Sequence, residues 1–161
     1  MKGAIQLAMQ PKWDEIEKIR NKSRKFLASQ GLSDDSVQAF TMVISELVEN
    51  SVKYGKFTSP SNRVIVNINI SENTVIAEVI NPVDATAYPN LRKLDKTLQW
   101  IRGFQDPFQA YVERIKQVSR KPLDDDFSGL GLVRIAYEGK AIVDFFLSDN
   151  NLLNVSVVSN S

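Results

Sequence analysis

The sequence predicts an α+β protein, a two-layer sandwich with a mostly antiparallel mixed sheet covered on one face by helices. Two observations lead there. The alternating segments come chiefly as hairpins, and hairpins build antiparallel sheets. The segments between them carry helical periodicity, and helices so placed cover one face of a sheet. In chain order, "GAIQLAMQ" (Gly3 to Gln10) is short and bounded by Pro11, so it reads as a strand. A helix follows from Trp13, with Ile16, Ile19, Phe26 and Leu27 on the same face. Gly31 suits its C-cap. Ser33 offers the next N-cap, with Asp34 and Asp35 in the first turn, where the helix dipole favours acids. That second helix runs to about Tyr54 and stops at Gly55.

"NRVIVNINIS" alternates through Val64, Val66, Ile68 and Ile70, "ENT" turns, and "VIAEVI" returns. The middle segment, Asn81 to Phe127, holds a helix near Leu91 to Ile101. Another starts at Asp106-Pro107, an N-cap and N1 pair, with Phe108, Tyr111, Val112, Ile115 and Val118 on one face. "SGLGLVRIAYEGK" opens with glycines and turns helical. "AIVDFFLS" and "LLNVSVV" close the chain as a hairpin across Asp149-Asn150-Asn151.

Composition narrows the function. With 161 residues, 43% hydrophobic and 24% charged, the chain fits one domain, residues 1–161, with a helical insert at about 82–127. Lys+Arg of 20 against Asp+Glu of 19 leaves a net charge of +1, so neither nucleic acid nor a membrane surface is expected as a partner. The basic run "KIRNKSRK" reads as the solvated face of a helix. The chain has neither Cys nor His, which excludes disulfides, thiolate and imidazole metal sites and Ser-His-Asp hydrolysis. No apolar run approaches a membrane span, and "MKGAIQLAMQPKW" lacks a cleavable apolar region, so a soluble cytoplasmic protein is expected.

Against that background "FTMVISELVENSVKYG" (Phe40 to Gly55) is unusual. It is apolar almost all the way round, yet Glu46 and Asn50 share a face, four residues apart. In one reading both sit at a helix edge, satisfied by backbone or water. In the other, the carboxylate orients or deprotonates a hydroxyl or a water, and the amide oxygen ligates Mg²⁺, which takes oxygen ligands and phosphates. Glu49 and Lys53 have the same spacing and read as a surface pair. A second signal lies far downstream. Gly129-Leu130-Gly131-Leu132 precede an amphipathic helix, where glycines let backbone N–H groups approach a phosphate.

The two signals together resemble the GHKL (histidine-kinase-like) ATPase superfamily, and within it the small anti-sigma-factor serine kinases. The resemblance spans nearly the whole chain. "SELVENSVKYG" is similar to the N box, which implies Glu46 as general base and Asn50 as the Mg²⁺ ligand on the nucleotide phosphates. "SGLGL" is similar to the G2 box, which implies that Ser128, Gly129, Leu130, Gly131 and Leu132 close on the phosphates. The family implies a Bergerat-type fold, ATP and Mg²⁺, a small STAS-type antagonist protein as substrate, a sigma-factor-like regulator as a further ligand, and a homodimer through the sheet's N-terminal edge.

The G1 box departs from the pattern. Where the family has an Asp for the adenine amino group and then glycines, this chain reads "NPVDATAYP". Asn81 stands in place of the Asp, and its carbonyl oxygen can accept from an amino group. Pro82 stiffens the turn, and Asp84 reads as an ordinary turn residue. Trp100, Phe104, Phe108 and Tyr111 in the insert read as core or as a partner-docking surface. Asp124-Asp125-Asp126 read as a solvated loop. Lys53, Arg63, Arg102, Lys121 and Arg134 are cations within reach of phosphates, and spacing does not choose among them. Two functions follow. One is a Mg·ATP-dependent serine/threonine kinase of the anti-sigma type. The other is a degenerate GHKL module that binds partner proteins without turning over nucleotide.

Overall fold

The computed structural model of the chain describes residues 2–120 and 130–160. Five strands, β1 (Lys2–Met9), β2 (Val64–Ser71), β3 (Thr74–Pro82), β4 (Ile142–Leu147) and β5 (Leu152–Asn160), form one sheet in the order β1-β2-β3-β5-β4. All four pairs are antiparallel, which is more uniform than the mixed sheet expected from sequence. Five helices accompany them: α1 (Trp13–Ser29), α2 (Asp34–Tyr54), α3 (Tyr88–Arg102), α4 (Pro107–Val118) and α5 (Leu130–Tyr137). No described helix is long and apolar enough to cross a membrane.

The core lies between the sheet and α2. Strand alternation sends Val64, Val66, Ile68 and Ile70 of β2 and Val75, Ala77 and Val79 of β3 into it. From the other side α2 contributes Phe40, Val43, Ile44, Leu47 and Val48, all buried. Each such side chain contributes about 1.5–3 kcal/mol on burial. The hydroxyls of Thr41, Ser45 and Ser51 are also buried there, and each donates to the carbonyl four residues earlier in its own helix. So α2 meets apolar surface on several sides without leaving these groups unpaired.

Local signals act as expected at several boundaries. Ser33 caps α2 by accepting from the Ser36 N–H, and Asp106 caps α4 by accepting from the Phe108 N–H. Gly31 takes the left-handed conformation (φ +79°) just past α1. The two hairpin turns place Glu72 and Asn151 at positive φ, the cost of two tight reversals without glycine.

Three local expectations change. Trp13 is 60% exposed, and α1 packs through Ile16, Ile19 and Leu27 with Phe26 partly buried against the core. Asn81 and Pro82 do not begin a turn: they end β3, in register with Leu153 and Leu152. The partner strand continues there, and Val83 N–H donates to Asn151 O to extend the pairing. Asp84 does act as a turn residue, accepting from the Thr86 N–H. In the insert, Trp100, Phe104 and Tyr111 pack against the core, whereas Phe108 is 46% exposed beside Tyr137, at 5.2 Å between ring centroids.

The contrast between two apolar side chains tests this arrangement. Ile44→Ala is expected to cost about 2–5 kcal/mol in urea unfolding. Trp13→Ala should stay within about 0.5 kcal/mol. A comparable loss at both positions would contradict the placement of α1.

Candidate functional site

Glu46 and Asn50 leave α2 one turn apart and reach different spaces. Asn50 lines a cavity of about 50 Å³ between α2, the ends of β3 and β5, α3 and α5. Asn81 and Leu132 line the same cavity, so three sequence-predicted site residues from three distant segments meet there. The wall on the far side is α3, through Leu91 and Leu94. A nucleotide site needs roughly 300–1,000 Å³. The cavity as it stands is too small for a nucleotide, and a larger ligand would have to move lining side chains such as Leu91 and Leu94 of α3 aside.

Asn81 is the most deeply buried of the asparagines lining that cavity. It is 2% exposed, its Nδ2 donates to the Pro82 carbonyl at 3.1 Å, and its Oδ1 is buried without a partner. An unpaired buried carbonyl costs about 1–3 kcal/mol. Here it is an acceptor at a defined point, of the kind that receives an exocyclic amino group. Among the described residues no group of three or more acidic side chains is placed to hold a metal. Mg²⁺ does not need one: a single amide oxygen, phosphates and water make up the set it takes on phosphoryl ligands. The residues present therefore fit Mg²⁺ with a nucleotide, and the volume fits only with α3 moved.

Glu46 faces a second space, an open groove of about 370 Å³ between α1, α2 and α5. Its Oε1 accepts from Arg134 Nη1 at 3.0 Å. Arg134 Nε also reaches Glu138 Oε2 at 3.2 Å. The opposite oxygen of Glu46 lies so close to Gly131 that a β-carbon there would stand 2.6 Å from it. Burial raises the Glu46 pKa, helped by Glu49 and partly countered by the Arg134 charge and hydrogen bond. Glu49, expected to pair along the surface, reaches Arg20 of α1 at 3.7 Å. Arg20 also donates to Ser45 Oγ at 3.0 Å, tying α1 to the helix that carries the site.

Leu130, Gly131 and Leu132 form the first turn of α5 itself. Ser128 and Gly129 lie outside the described residues, as do Lys121 and the Asp124–Asp126 run. Of the remaining cations, Arg63 donates to the carbonyls of Pro60 and Asn62, and Arg102 binds Asp144 and the Val143 carbonyl. Arg134 is placed against a predicted site residue, Glu46. Sequence spacing had not chosen it, because its partner lies 88 positions away.

Replacing Asn81 separates its cost to the fold from its use. Asn81→Leu removes the unpaired oxygen beside an existing cavity. It is expected to leave urea stability unchanged or to raise it by up to about 1 kcal/mol. A clear loss would show that Oδ1 is satisfied in the folded chain.

No family model matches the chain, and no curated protein matches it. Among solved structures, the crystal structure of the SiaB–SiaC complex from Pseudomonas aeruginosa contains a similar chain. The match has a TM-score of 0.72 at 17% identity, over 96% of this chain and 88% of that one. At that identity the likeness shows the fold: an α+β sandwich shared over nearly the whole length.

Proposed function

We propose that this chain is a regulatory protein of the GHKL type that binds Mg·ATP and phosphorylates a serine or threonine of a small STAS-type partner. The observation that carries the reading is the buried, unpartnered Oδ1 of Asn81 in a cavity shared with Asn50 and Leu132. In this role Asn81 accepts from the adenine amino group, and Asn50 offers its amide oxygen to Mg²⁺. The turn containing Leu130, Gly131 and Leu132, with Ser128 and Gly129 before it, closes on the phosphates. Glu46 opens onto the groove rather than the cavity, so the reading requires α5 to shift until Glu46 reaches the acceptor hydroxyl and takes its proton as that oxygen bonds the terminal phosphorus and the bond to the leaving nucleoside diphosphate breaks. Mg²⁺ supplies charge neutralisation when bound. The match to a chain from a two-protein complex supports a partner-binding role. A sigma-factor-like regulator as a second ligand and a homodimer through the β1 edge are what the family resemblance implies.

One alternative has its own support. The small cavity, the α3 wall, the Arg134 contact to Glu46 and the absence of G1 glycines favour a degenerate module that binds proteins without nucleotide turnover.

Calorimetric titration with ATP, with and without Mg²⁺, divides the two readings. The kinase reading expects saturable Mg²⁺-dependent binding, weakened at least tenfold by Asn50→Ala and by Asn81→Leu with the fold intact. No heat at millimolar ATP would sink it in favour of the protein-binding module. Glu46→Ala is expected to retain ATP and lose phosphoryl transfer by about 10²–10⁴-fold.

A further inference from the structure

Helices α2 and α5 line both the cavity and the groove. From α2, Asn50 faces the cavity and Glu46 the groove. From α5, Leu132 faces the cavity and Arg134 the groove. The carboxylate of Glu46 meets α5 at both oxygens: Arg134 bonds Oε1, and the bare Cα of Gly131 leaves room for Oε2. We infer that Arg134 is the positioning residue for Glu46, fixing the carboxylate's direction and keeping it charged through a contact that Gly131 makes room for. The inference rests on the kinase reading for its effect on transfer, but its structural content does not.

The chemistry favours a positioning role over an incidental surface pair. A guanidinium is a planar fork and is charged at every relevant pH, so it orients a carboxylate as well as attracting it. Arg134 uses the fork on two carboxylates, Glu46 on α2 and Glu138 just past the end of α5. Its own direction is thereby shared with a residue that has no other assigned role. The surroundings of Glu46 otherwise oppose its ionisation. Burial, then Glu49 of α2 and Glu138 push its proton affinity up, and Arg134 is the cation that counters them. Arg20 and Arg24 of α1 line the same groove. Arg20 is engaged with Ser45, Glu17 and Glu49, and Arg24 with Asn21. A base must be ionised to accept a proton, so the residue that keeps Glu46 charged sets the pH at which the site works.

The sign follows directly. Removing Arg134 removes the opposing charge and hydrogen bond, so the Glu46 proton is held to a higher pH. The test is a carboxyl ¹³C NMR titration of Glu46 in the full chain, comparing wild type with Arg134→Gln, Arg134→Lys and Gly131→Ala. The Glu46 midpoint is expected to move to higher pH in Arg134→Gln and to return towards wild type in Arg134→Lys. Gly131→Ala favours the helix, so misfolding is not its expected effect. Its methyl should displace the carboxylate and move the midpoint up as well. An unchanged midpoint in Arg134→Gln would overturn the inference. This readout needs neither nucleotide nor partner, so it stands or falls apart from the kinase reading. With a phosphorylated acceptor in hand, Arg134→Gln should lower kcat by about 10- to 100-fold with the KM for ATP unchanged. It should also move the acid limb of the pH profile upward. Wild-type kcat in that variant would likewise overturn the positioning role.

Discussion

The molecule is organised around the burial of α2. Val43, Ile44 and Val48 are wholly removed from water between the sheet and the neighbouring helices. A helix enclosed in this way cannot rotate without exposing apolar surface on one side and forcing it into contact on another. The directions of its few polar side chains are therefore set by the core. Its buried hydroxyls donate to their own helix's carbonyls, Ser45 and Glu49 meet Arg20 of α1, and Glu46 and Asn50 open onto the groove and the cavity.

From that constraint the two-sided arrangement follows. A hundred degrees per residue over four residues turns Asn50 slightly past Glu46, and α5 wedges into the angle between them. The wedge is possible because its second residue is glycine. A β-carbon at Gly131 would stand 2.6 Å from Glu46 Oε2, so with any larger residue there the carboxylate would have to give way to keep Leu132, Val133 and Ile135 seated. One small residue thus reconciles close helix packing with a carboxylate at the contact. A phosphate-cradle role for the same glycine would use the same lack of a side chain, so packing and ligand approach place compatible demands on one position.

What was legible in the sequence was local. Ser33, Asp106 and Gly31 act within a few residues of themselves, and the two hairpins declare their register through alternation and short turns. The spacing of Glu46 and Asn50 puts them on one helix side, and the structure bears that out. It does not show that they open onto different spaces, because that depends on where α5 lands. The fate of Asn81-Pro82 was hidden for the same reason: a proline after a strand signals a turn, but β5 supplies partners about seventy residues later that carry the strand on. The Arg134 contact to Glu46 and the α3 wall are likewise products of tertiary contact. Trp13 misled because periodicity records a face without saying where that face runs out of partner.

The α3 wall has a kinetic consequence. A ligand too large for the cavity meets only the fraction of molecules in which Leu91 and Leu94 have lifted away. Its apparent dissociation constant is the intrinsic one divided by that fraction, so a well-formed site behind a closed wall behaves as a weak one. Opening also sets a ceiling on the observed association rate, which levels off as ligand concentration rises once α3 motion becomes the slow step. If the proposed nucleotide binds there, a partner protein that gripped the outside of α3 and held it open would raise nucleotide affinity without touching the nucleotide. By reciprocity the nucleotide would raise affinity for that partner by the same factor.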